Sequence, residues 1–503
     1  MSRAVTTDVA VVGTGFVGLL TARELVKRGR EVMLIERGGT RSHREQLAGG
    51  GSTEAQVFEV DSPTAAHNHE EHGDTPYPWD YLYAVGGSSL HWGGVTPRFL
   101  PADFELRSRY GVGVDWPIGY RELEPFYGEA ERALGVSAGE APYGRSDRSV
   151  LPPHPYSPVD KMVRPLLEPY FPLPQARPTR GISGRPACCS SGRCTLCPVD
   201  AKYTCLHTIE DERLLERDNL ELRQETIAAR IRAQGGRVTA IECINREGER
   251  FSVRAKTVVL AAAGLENAAI LLRSGLDGPD VGRWLMDHQH RVFVVHLDRS
   301  ARPGQGTTIS TGISYAYTDG PFRSERASLI VYPENRGLNM TPELIKSVTD
   351  GRSGRRLWRE TRAEYDRTLL LDTLGEELPV RERFVRLSPN KDSFGLPRNL
   401  IHYPPVSDYL NASYTHLRGE IERRLRPLGA RVASSYVYGG AHLLGTCRMG
   451  ERDGVVDPNL RHHDLDNLYV AGGSAFPTYS AVHPTLTASA LAIRLGRHLA
   501  AEA

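Results

Sequence analysis

Four cysteines fall within ten residues of the chain, in the segment CCSSGRCTLC at positions 188–197. They are four of the seven cysteines in a chain of 503 residues: Cys188, Cys189, Cys194 and Cys197. Thiolates on one short loop can ligate an iron–sulfur cluster or, with Cys205 as a further ligand, tetrahedral zinc. A disulfide, or a turn that is simply rich in small residues, would explain the same segment. The residue types alone therefore leave metal binding, disulfide bonding and a metal-free turn open.

A second chemical signature lies near the N-terminus, where three glycines follow a short apolar run. The run DVAVV (8–12) is typical of a buried parallel strand, and GTGFVG then spaces Gly13, Gly15 and Gly18 as G-x-G-x-x-G. A helical pattern and a second strand follow, and the strand ends at Glu36. Glycines in this context allow a tight turn and a close approach to a pyrophosphate, while the acid accepts hydrogen bonds from a ribose. This order of strand, glycines, helix, strand and acid predicts a dinucleotide-binding unit, but it does not show whether the dinucleotide is FAD or NAD.

Three further segments predict the elements that must complete this unit. VGGSSLHWGGVTPR (85–98) surrounds a His–Trp pair with glycines, and the missing Cβ atoms let such a loop lie flat against a planar ligand. Residues 256–275 and 467–500 each show a strand, a glycine turn and a helix, and the last helix is expected to begin near Pro484. We therefore expect the two ends of the chain and its middle to build one sheet.

Together with HLLGTCRMG (442–450), these segments resemble the glucose–methanol–choline (GMC) family of FAD-dependent oxidoreductases. Within that family they are most similar to the sugar-oxidising branch, which holds pyranose and glycoside oxidases and sugar dehydrogenases. The resemblance implies an α/β fold: a Rossmann-type FAD-binding domain built from discontinuous segments, and an α+β substrate domain based on an antiparallel sheet. The expected divisions are residues 1–110, 200–295 and 435–503 for the FAD-binding domain, 296–434 for the substrate-binding domain, and 111–199 for a connecting region with the Cys-rich loop 188–205.

The same resemblance implies the oxidation of an alcohol carbon, in which a base takes the hydroxyl proton and the hydride passes to flavin N5. His442 matches the catalytic histidine of the family and is the expected proton acceptor. His483 matches the second catalytic position and is expected to hydrogen-bond the substrate oxygen. The residues expected to bind FAD come from the glycine-rich segments and their flanks: Gly13, Gly15, Gly18, Glu36, Arg37, Gly86, Gly87, Ser88, His91, Gly93, Gly94, Gly472, Gly473, Pro484, Thr485 and Leu486.

Two finer features of the family bear on His91 and on the cysteines. In pyranose oxidases a histidine in a loop similar to GGSSLHWGG carries the flavin covalently. The resemblance therefore leaves a covalent link to His91 open beside a His91 that only packs against the ring. The cysteine segment 188–197 is similar to one that holds a 3Fe–4S cluster in glucose and fructose dehydrogenases, although the last gap is one residue shorter here. An iron–sulfur site at the four cysteines thus stays open beside a metal-free loop.

The charge balance and hydropathy exclude several classes of partner. The chain has 62 Lys and Arg residues and 61 Asp and Glu residues, so it lacks the excess positive charge that would favour binding to nucleic acid or to an anionic membrane. No apolar run approaches the roughly 20 residues that a membrane helix needs, and the first residues do not read as a secretion signal. These observations predict a cytoplasmic protein, in which a disulfide framework is not expected. The sequence does not indicate an oligomeric state.

The expected partners are a small polyhydroxylated substrate and an electron acceptor, either oxygen or a carrier. The resemblance predicts oxidation of a sugar or glycoside hydroxyl to a ketone or aldehyde. The alternative is oxidation of a primary alcohol of an aminoglycoside to the aldehyde, as in antibiotic biosynthesis, with Asp372, Glu376 and Glu377 as ligands for a cationic amino sugar. A flavin and iron–sulfur electron-transfer protein and an NAD-dependent dehydrogenase are the alternatives of other classes. An NAD enzyme would not need the 85–98 loop or the C-terminal flavin motif.

Overall fold

The structure is a computed structural model that describes residues 4–49, 69–71, 82–145, 150–192, 194–307, 309–335, 340–404, 407–439 and 442–502. The strands of this described part are β1 (Ala4–Val12), β2 (Val32–Ile35), β3 (His69–Glu71), β4 (Tyr170–Pro172), β5 (Leu220–Arg223), β6 (Thr226–Gln234), β7 (Arg237–Asn245), β8 (Arg250–Leu260), β9 (Gln289–His296), β10 (Gly312–Tyr317), β11 (Leu329–Glu334), β12 (Thr368–Gly375), β13 (Phe384–Lys391), β14 (Pro397–His402), β15 (Arg431–Gly439) and β16 (Leu468–Val470). Its α-helices are α1 (Phe16–Val26), α2 (His43–Gly49), α3 (Leu106–Tyr110), α4 (Tyr120–Leu134), α5 (Pro158–Val163), α6 (Cys205–Asp211), α7 (Ala263–Arg273), α8 (Thr341–Thr349), α9 (Gly354–Asp366), α10 (Asp408–Arg424) and α11 (Thr485–Ala501).

The first sheet joins strands from both ends of the chain and from its middle. Its order is β5-β2-β1-β8-β7-β6, and β16 also pairs with β8. Strand β1 lies between two parallel neighbours, and Val11 is opposite both Leu34 and Val259. A strand with parallel neighbours on both sides is buried on both faces, which explains why Val9–Val12 is wholly apolar. The N-terminal and C-terminal segments therefore share one core, in which α1 packs against α11.

The second sheet is antiparallel and has the order β15-β9-β12-β11-β10-β4. Every residue of its central strand β12 is buried. Helix α10 packs beside the sheet and buries residues at helical spacing, among them Leu410, Leu417 and Ile421, which explains the charged residues on its opposite face. The sheet extends beyond residues 296–434, the range expected for the substrate-binding domain, because strand β9 begins at Gln289. Strand β9 pairs with both β12 and β15, and its Val292 lies opposite Asp372 and Tyr436.

A third, small sheet has the order β13-β14-β3, and α7 contacts β13 and β14. The predicted fold class is confirmed: a mainly parallel nucleotide-binding sheet built from distant segments stands beside an antiparallel sheet. The last helix begins at Thr485, directly after Pro484, as the sequence predicts. Within the described ranges, none of the helices combines the length and apolar character needed to cross a bilayer.

Candidate active site

The segments predicted to bind a dinucleotide surround one cavity. Val12, Ile35 and Ala261 line it from the carboxyl ends of β1 and β2 and from the turn after β8. Gly15 and Thr485 line it at the amino ends of α1 and α11. The first N–H groups of a helix have no partner within the helix and carry partial positive charge, so both helix ends suit an anionic or electron-rich ligand.

Close backbone packing shapes the wall of this cavity. Gly13 has a φ of +101°, and a Cβ atom there would lie 2.5 Å from the carbonyl oxygen of Ala261. A Cβ atom at Gly18 would lie 1.9 Å from the carbonyl oxygen of Gly13. A Cβ atom at Gly87 would lie 3.2 Å from the Cα atom of Gly15, so this part of the wall is bare backbone. The cavity, its glycine wall and the two helix ends fit a bound FAD.

Glu36 holds the glycine turn against the end of β2. Its Oε2 atom accepts hydrogen bonds from Thr14 N at 3.0 Å and Thr14 Oγ1 at 2.7 Å. Its Oε1 atom accepts from Gly38 N at 2.9 Å. Burial raises the pKa of Glu36, while these hydrogen bonds act in the opposite direction. The carboxyl group lines the cavity beside Arg37, whose guanidinium lies 4.4 Å from the ring centre of Tyr83.

The residues predicted to bind FAD divide into two groups in the structure. Those that line the cavity are Gly13, Gly15, Glu36, Arg37, Gly87, Ser88, Gly472, Gly473, Pro484 and Thr485. Those that do not line it, among the residues the structure describes, are Gly18, Gly86, His91, Gly93, Gly94 and Leu486. Gly86 and Gly94 have φ values of +96° and +74°, which glycine adopts more readily than other residues, so they shape the 85–98 loop. The role of each residue toward FAD stays a prediction.

Four histidines meet at one end of the cavity. His442 lines the cavity, and its ring centre lies 5.2 Å from that of His483. The ring centre of His288 lies 4.9 Å from that of His442. The ring centre of His290 is 6.2 Å from His442 and 6.1 Å from His483. The structure thus brings the two predicted catalytic histidines together and adds two that the sequence analysis did not name.

Burial keeps the histidines of this cluster that are predicted to be catalytic in the neutral form. It lowers the pKa of His442 to about 3, and the charge of nearby His290 acts in the same direction. Burial also holds the pKa values of His288 and His483 well below the ordinary value of imidazole, and neighbouring histidines add to the effect. A neutral imidazole has an unprotonated ring nitrogen, which is what a general base requires.

A buried carboxylate lies next to this cluster. His290 Nδ1 is 3.0 Å from Asp372 Oδ2, and Asp372 also accepts hydrogen bonds from Tyr332 Oη at 3.0 Å and Tyr438 Oη at 2.9 Å. The ring of His290 stacks on Tyr438, with the ring centres 4.5 Å apart. The sequence does carry a signal for the two missed histidines. In DHQHRVFVV (287–295) they stand two residues apart at the start of a strand, and such residues share a face.

The other two acids proposed as amino-sugar ligands have structural partners instead. Glu376 forms a buried ion pair with Arg323. Glu377 pairs with Arg383 at 2.5 Å, and both side chains are buried. Because each carboxylate is neutralised inside the protein, neither is available to an amino sugar, and only Asp372 of the three lies beside the histidine cluster.

The four cysteines of the 188–197 loop differ in exposure. Cys194 and Cys197 are buried, Cys188 is half-buried and Cys189 is exposed, and all are free thiols. Arg177 donates a hydrogen bond to the sulfur of Cys194. Within the described part of the chain, no three His, Cys, Asp or Glu side chains are grouped so that they could hold a metal ion. The loop in this conformation therefore does not fit the iron–sulfur site that the resemblance left open.

Three family models match the chain. Two models are described as GMC oxidoreductase: the one for the N-terminal part matches residues 175–290, and the one for the C-terminal part matches residues 417–492. The model described as FAD dependent oxidoreductase matches residues 8–83. The matched ranges contain the first fingerprint, the cysteine loop, the β8–α7 unit and both histidines predicted to be catalytic.

Curated relatives and solved structures match over almost the full length. The chain is 30% identical to the fructose dehydrogenase large subunit of Gluconobacter japonicus, covering 97% of this chain and 96% of the relative. It is 31% identical to the 6'''-hydroxyparomomycin C oxidase of Streptomyces lividus, covering 98% and 92%. The crystal structure of pyridoxine 4-oxidase from Mesorbium loti superposes with a TM-score of 0.65 at 20% identity, covering 98% and 99%. The chain therefore belongs to the GMC oxidoreductase family, in its sugar-oxidising branch, and is an FAD-dependent alcohol oxidoreductase.

Proposed function

We propose that the protein oxidises a hydroxyl group of a sugar or glycoside to a ketone or aldehyde, with His442 as the base. The observation that carries this proposal is the pair of neutral histidines, His442 and His483, whose rings lie 5.2 Å apart at the end of the cavity. Bound FAD would supply the hydride acceptor, at its N5 atom. The residues of the chain supply the proton acceptor and the orientation of the alcohol.

The two histidines divide this work. His442 stays neutral on the cavity wall and takes the hydroxyl proton as the carbinol C–H bond breaks. The Nε2 atom of His483 is buried and has no hydrogen-bond partner among the described residues. A buried polar atom without a partner is costly, so the substrate oxygen is its natural partner. An alcohol whose O–H group donates to His442 and whose oxygen accepts a hydrogen bond from His483 Nε2 would have its C–H bond oriented for hydride transfer.

The surroundings of this pair favour a polyhydroxylated substrate. His290, Asp372, Tyr332 and Tyr438 place polar groups beside the catalytic histidines. Such groups can bind the further hydroxyl groups of a sugar ring, which a simple alcohol lacks. The names of the two relatives, a fructose dehydrogenase and a 6'''-hydroxyparomomycin C oxidase, support a sugar or a glycoside as substrate.

A primary alcohol of an aminoglycoside is the second candidate. The observation that favours it is Asp372, a carboxylate only 2% exposed that lies within hydrogen-bond reach of His290 at the site. Its negative charge favours a substrate that carries an ammonium group. The relative from Streptomyces lividus supports this candidate as well.

The purified flavoprotein is expected to lose its absorption at about 450 nm when glycosides or amino sugars are added without oxygen. A panel of neutral glycosides, amino sugars and a non-sugar ring alcohol such as cyclohexanol separates the candidates. Faster bleaching by amino sugars, lost selectively in Asp372→Asn, would favour the aminoglycoside. Bleaching by cyclohexanol alone would contradict a sugar substrate. Peroxide formed when air is readmitted identifies oxygen as the electron acceptor, and reduction of a dye without peroxide identifies a carrier.

We further propose that FAD is bound without a covalent link to His91. His91 follows the short 3-10 helix 87–90, its backbone N–H donates to Ser88 O at 3.3 Å, and it is not among the described residues that line the cavity. Acid precipitation of the protein is therefore expected to release the yellow flavin into the supernatant. Flavin that stays with the precipitate, and is released in His91→Ala, would contradict this proposal.

A further inference from the structure

A chain of hydrogen bonds leads from a backbone carbonyl to the catalytic base. His288 Nε2 lies 2.8 Å from the carbonyl oxygen of Ser480. His288 Nδ1 lies 2.7 Å from His442 Nδ1. The remaining ring nitrogen of His442 is Nε2, and His442 lines the cavity. Both His288 and Ser480 are buried, with exposures of 0% and 1%, so water does not compete for these bonds.

The chemistry of the partners determines which nitrogen carries each proton. A carbonyl oxygen only accepts, so His288 Nε2 must carry a proton and donate it to Ser480. Burial and the neighbouring histidines hold the pKa of His288 well below its ordinary value, so the ring is neutral and its Nδ1 atom is unprotonated. That atom accepts a hydrogen bond, and the donor must be the Nδ1–H group of His442. Since His442 is also neutral, its Nε2 atom is unprotonated.

We propose that His288 is a positioning residue that selects the Nδ1–H tautomer of His442 and so directs the unprotonated Nε2 atom to the substrate. The inference rests on the proposed role of His442 as the base. It adds the reason why that base has the correct nitrogen unprotonated before the alcohol arrives. The family role of the catalytic histidine does not specify this partner.

The surroundings hold His288 in this orientation. The ring of Tyr479 meets that of His288 edge to face, with centres 4.2 Å apart, and Tyr479 Oη donates to Asp287 O at 2.5 Å. The backbone N–H of His442 donates to Asp287 Oδ1 at 2.6 Å. Asp287 thus fixes the backbone of His442 while His288 fixes its ring. His290 is less suited to this role, because its Nδ1 atom faces Asp372.

The same contact stabilises the base after it has reacted. When His442 Nε2 accepts the alcohol proton, the ring becomes positive while its Nδ1–H group still donates to His288. A hydrogen bond from a charged donor is stronger than one from a neutral donor. Loss of His288 would leave the new charge without this acceptor in a buried site, which slows proton transfer but leaves substrate binding largely intact.

Nitrogen-15 NMR of the FAD-loaded wild-type enzyme tests the tautomer directly and requires neither turnover nor a substrate. The His442 and His288 signals are assigned by their loss in His442→Asn and His288→Gln. At pH 7.5, we expect protonated Nδ1 and unprotonated Nε2 in His442, and the opposite pattern in His288. An Nε2–H tautomer of His442 would overturn the inference, even if the protein oxidises a sugar.

Two variants of His288 test the consequence for catalysis. Glutamine keeps one donor for Ser480 O and one acceptor for His442, whereas leucine keeps neither. In His288→Leu, flavin reduction is expected to slow about 100-fold or more, with KM little changed and FAD retained, because a base in the wrong tautomer is ineffective. His288→Gln is expected to recover most of that rate. Equal losses in both variants, or no loss in leucine, would overturn the inference. If the leucine variant does not fold, the NMR result decides alone.

These outcomes are distinct from failure of the proposed function. A wild-type enzyme whose flavin no sugar or glycoside reduces would contradict the proposed function, whereas its NMR tautomer would still be defined. The matched control is His463→Gln, which changes an exposed histidine and is expected to leave the rate unchanged.

Discussion

Replacing His442 with alanine is expected to slow flavin reduction by the substrate about 100- to 10,000-fold, the usual contribution of a positioned general base. The variant should keep its FAD, because most of the cavity wall comes from backbone and from other side chains. Stopped-flow measurement of the flavin absorption band at about 450 nm, under anaerobic conditions, gives the rate directly. Added imidazole is expected to restore part of it by occupying the vacated space.

The pH dependence of the rate of flavin reduction gives a second test of the role of His442. In the proposed role of His442 as the base, the neutral form is the active form, so activity is expected to be lost as pH falls through the pKa that the ring has in the folded protein. Burial lowers that pKa to about 3, so the rate should stay nearly flat from pH 8 to about 5 instead of falling near the ordinary imidazole value. An alanine variant that reduces flavin at the wild-type rate would rule out His442 as the base.

Replacing Arg323 with methionine is expected to lower the free energy of unfolding by about 3–5 kcal/mol, the usual cost of removing one partner from a buried ion pair. Arg323 is 0% exposed and donates to both Asp103 and Glu376. Methionine would fill much of the space but leave two carboxyl groups without their cation. Urea denaturation followed by circular dichroism measures the loss.

A double variant separates the charge effect from the loss of packing. Adding Glu376→Gln to Arg323→Met removes one uncompensated charge and is expected to recover part of the stability. The comparison variant is Arg164→Met, which breaks an exposed pair with Glu168 and should leave the denaturation midpoint unchanged. Equal denaturation midpoints for Arg323→Met and Arg164→Met would contradict a stabilising role of Arg323 between its two carboxylates.

The ion pairs also show why the sequence alone could not assign a role to each of the three acidic residues near the end of β12. Asp372, Glu376 and Glu377 stand within six positions, and nothing in their spacing separates a ligand from a structural residue. Their partners include residues far along the chain: Arg323 for Glu376, and His290 for Asp372. Only the pairing of β12 with β9 and β11 brings Asp372 to the histidine cluster.

The sequence by itself determined the features that depend on near neighbours along the chain. The glycine turn after β1, the start of α11 after Pro484 and the buried face of α10 follow from conformational preference and helical spacing over a few residues. The family motifs also identified His442 and His483, because each lies in a short and specific segment.

The tertiary structure alone decided what surrounds those two histidines. His288 and His442 are 154 positions apart, yet their ring nitrogens lie 2.7 Å from each other. That contact exists because the bridge between Met286 and Leu444 holds the two segments together next to the β9–β15 pairing. Hydrogen-bond partners determine which nitrogen carries a proton, and burial determines whether the ring is charged. Both depend on distant parts of the chain meeting, so neither can be read from the residues around His442.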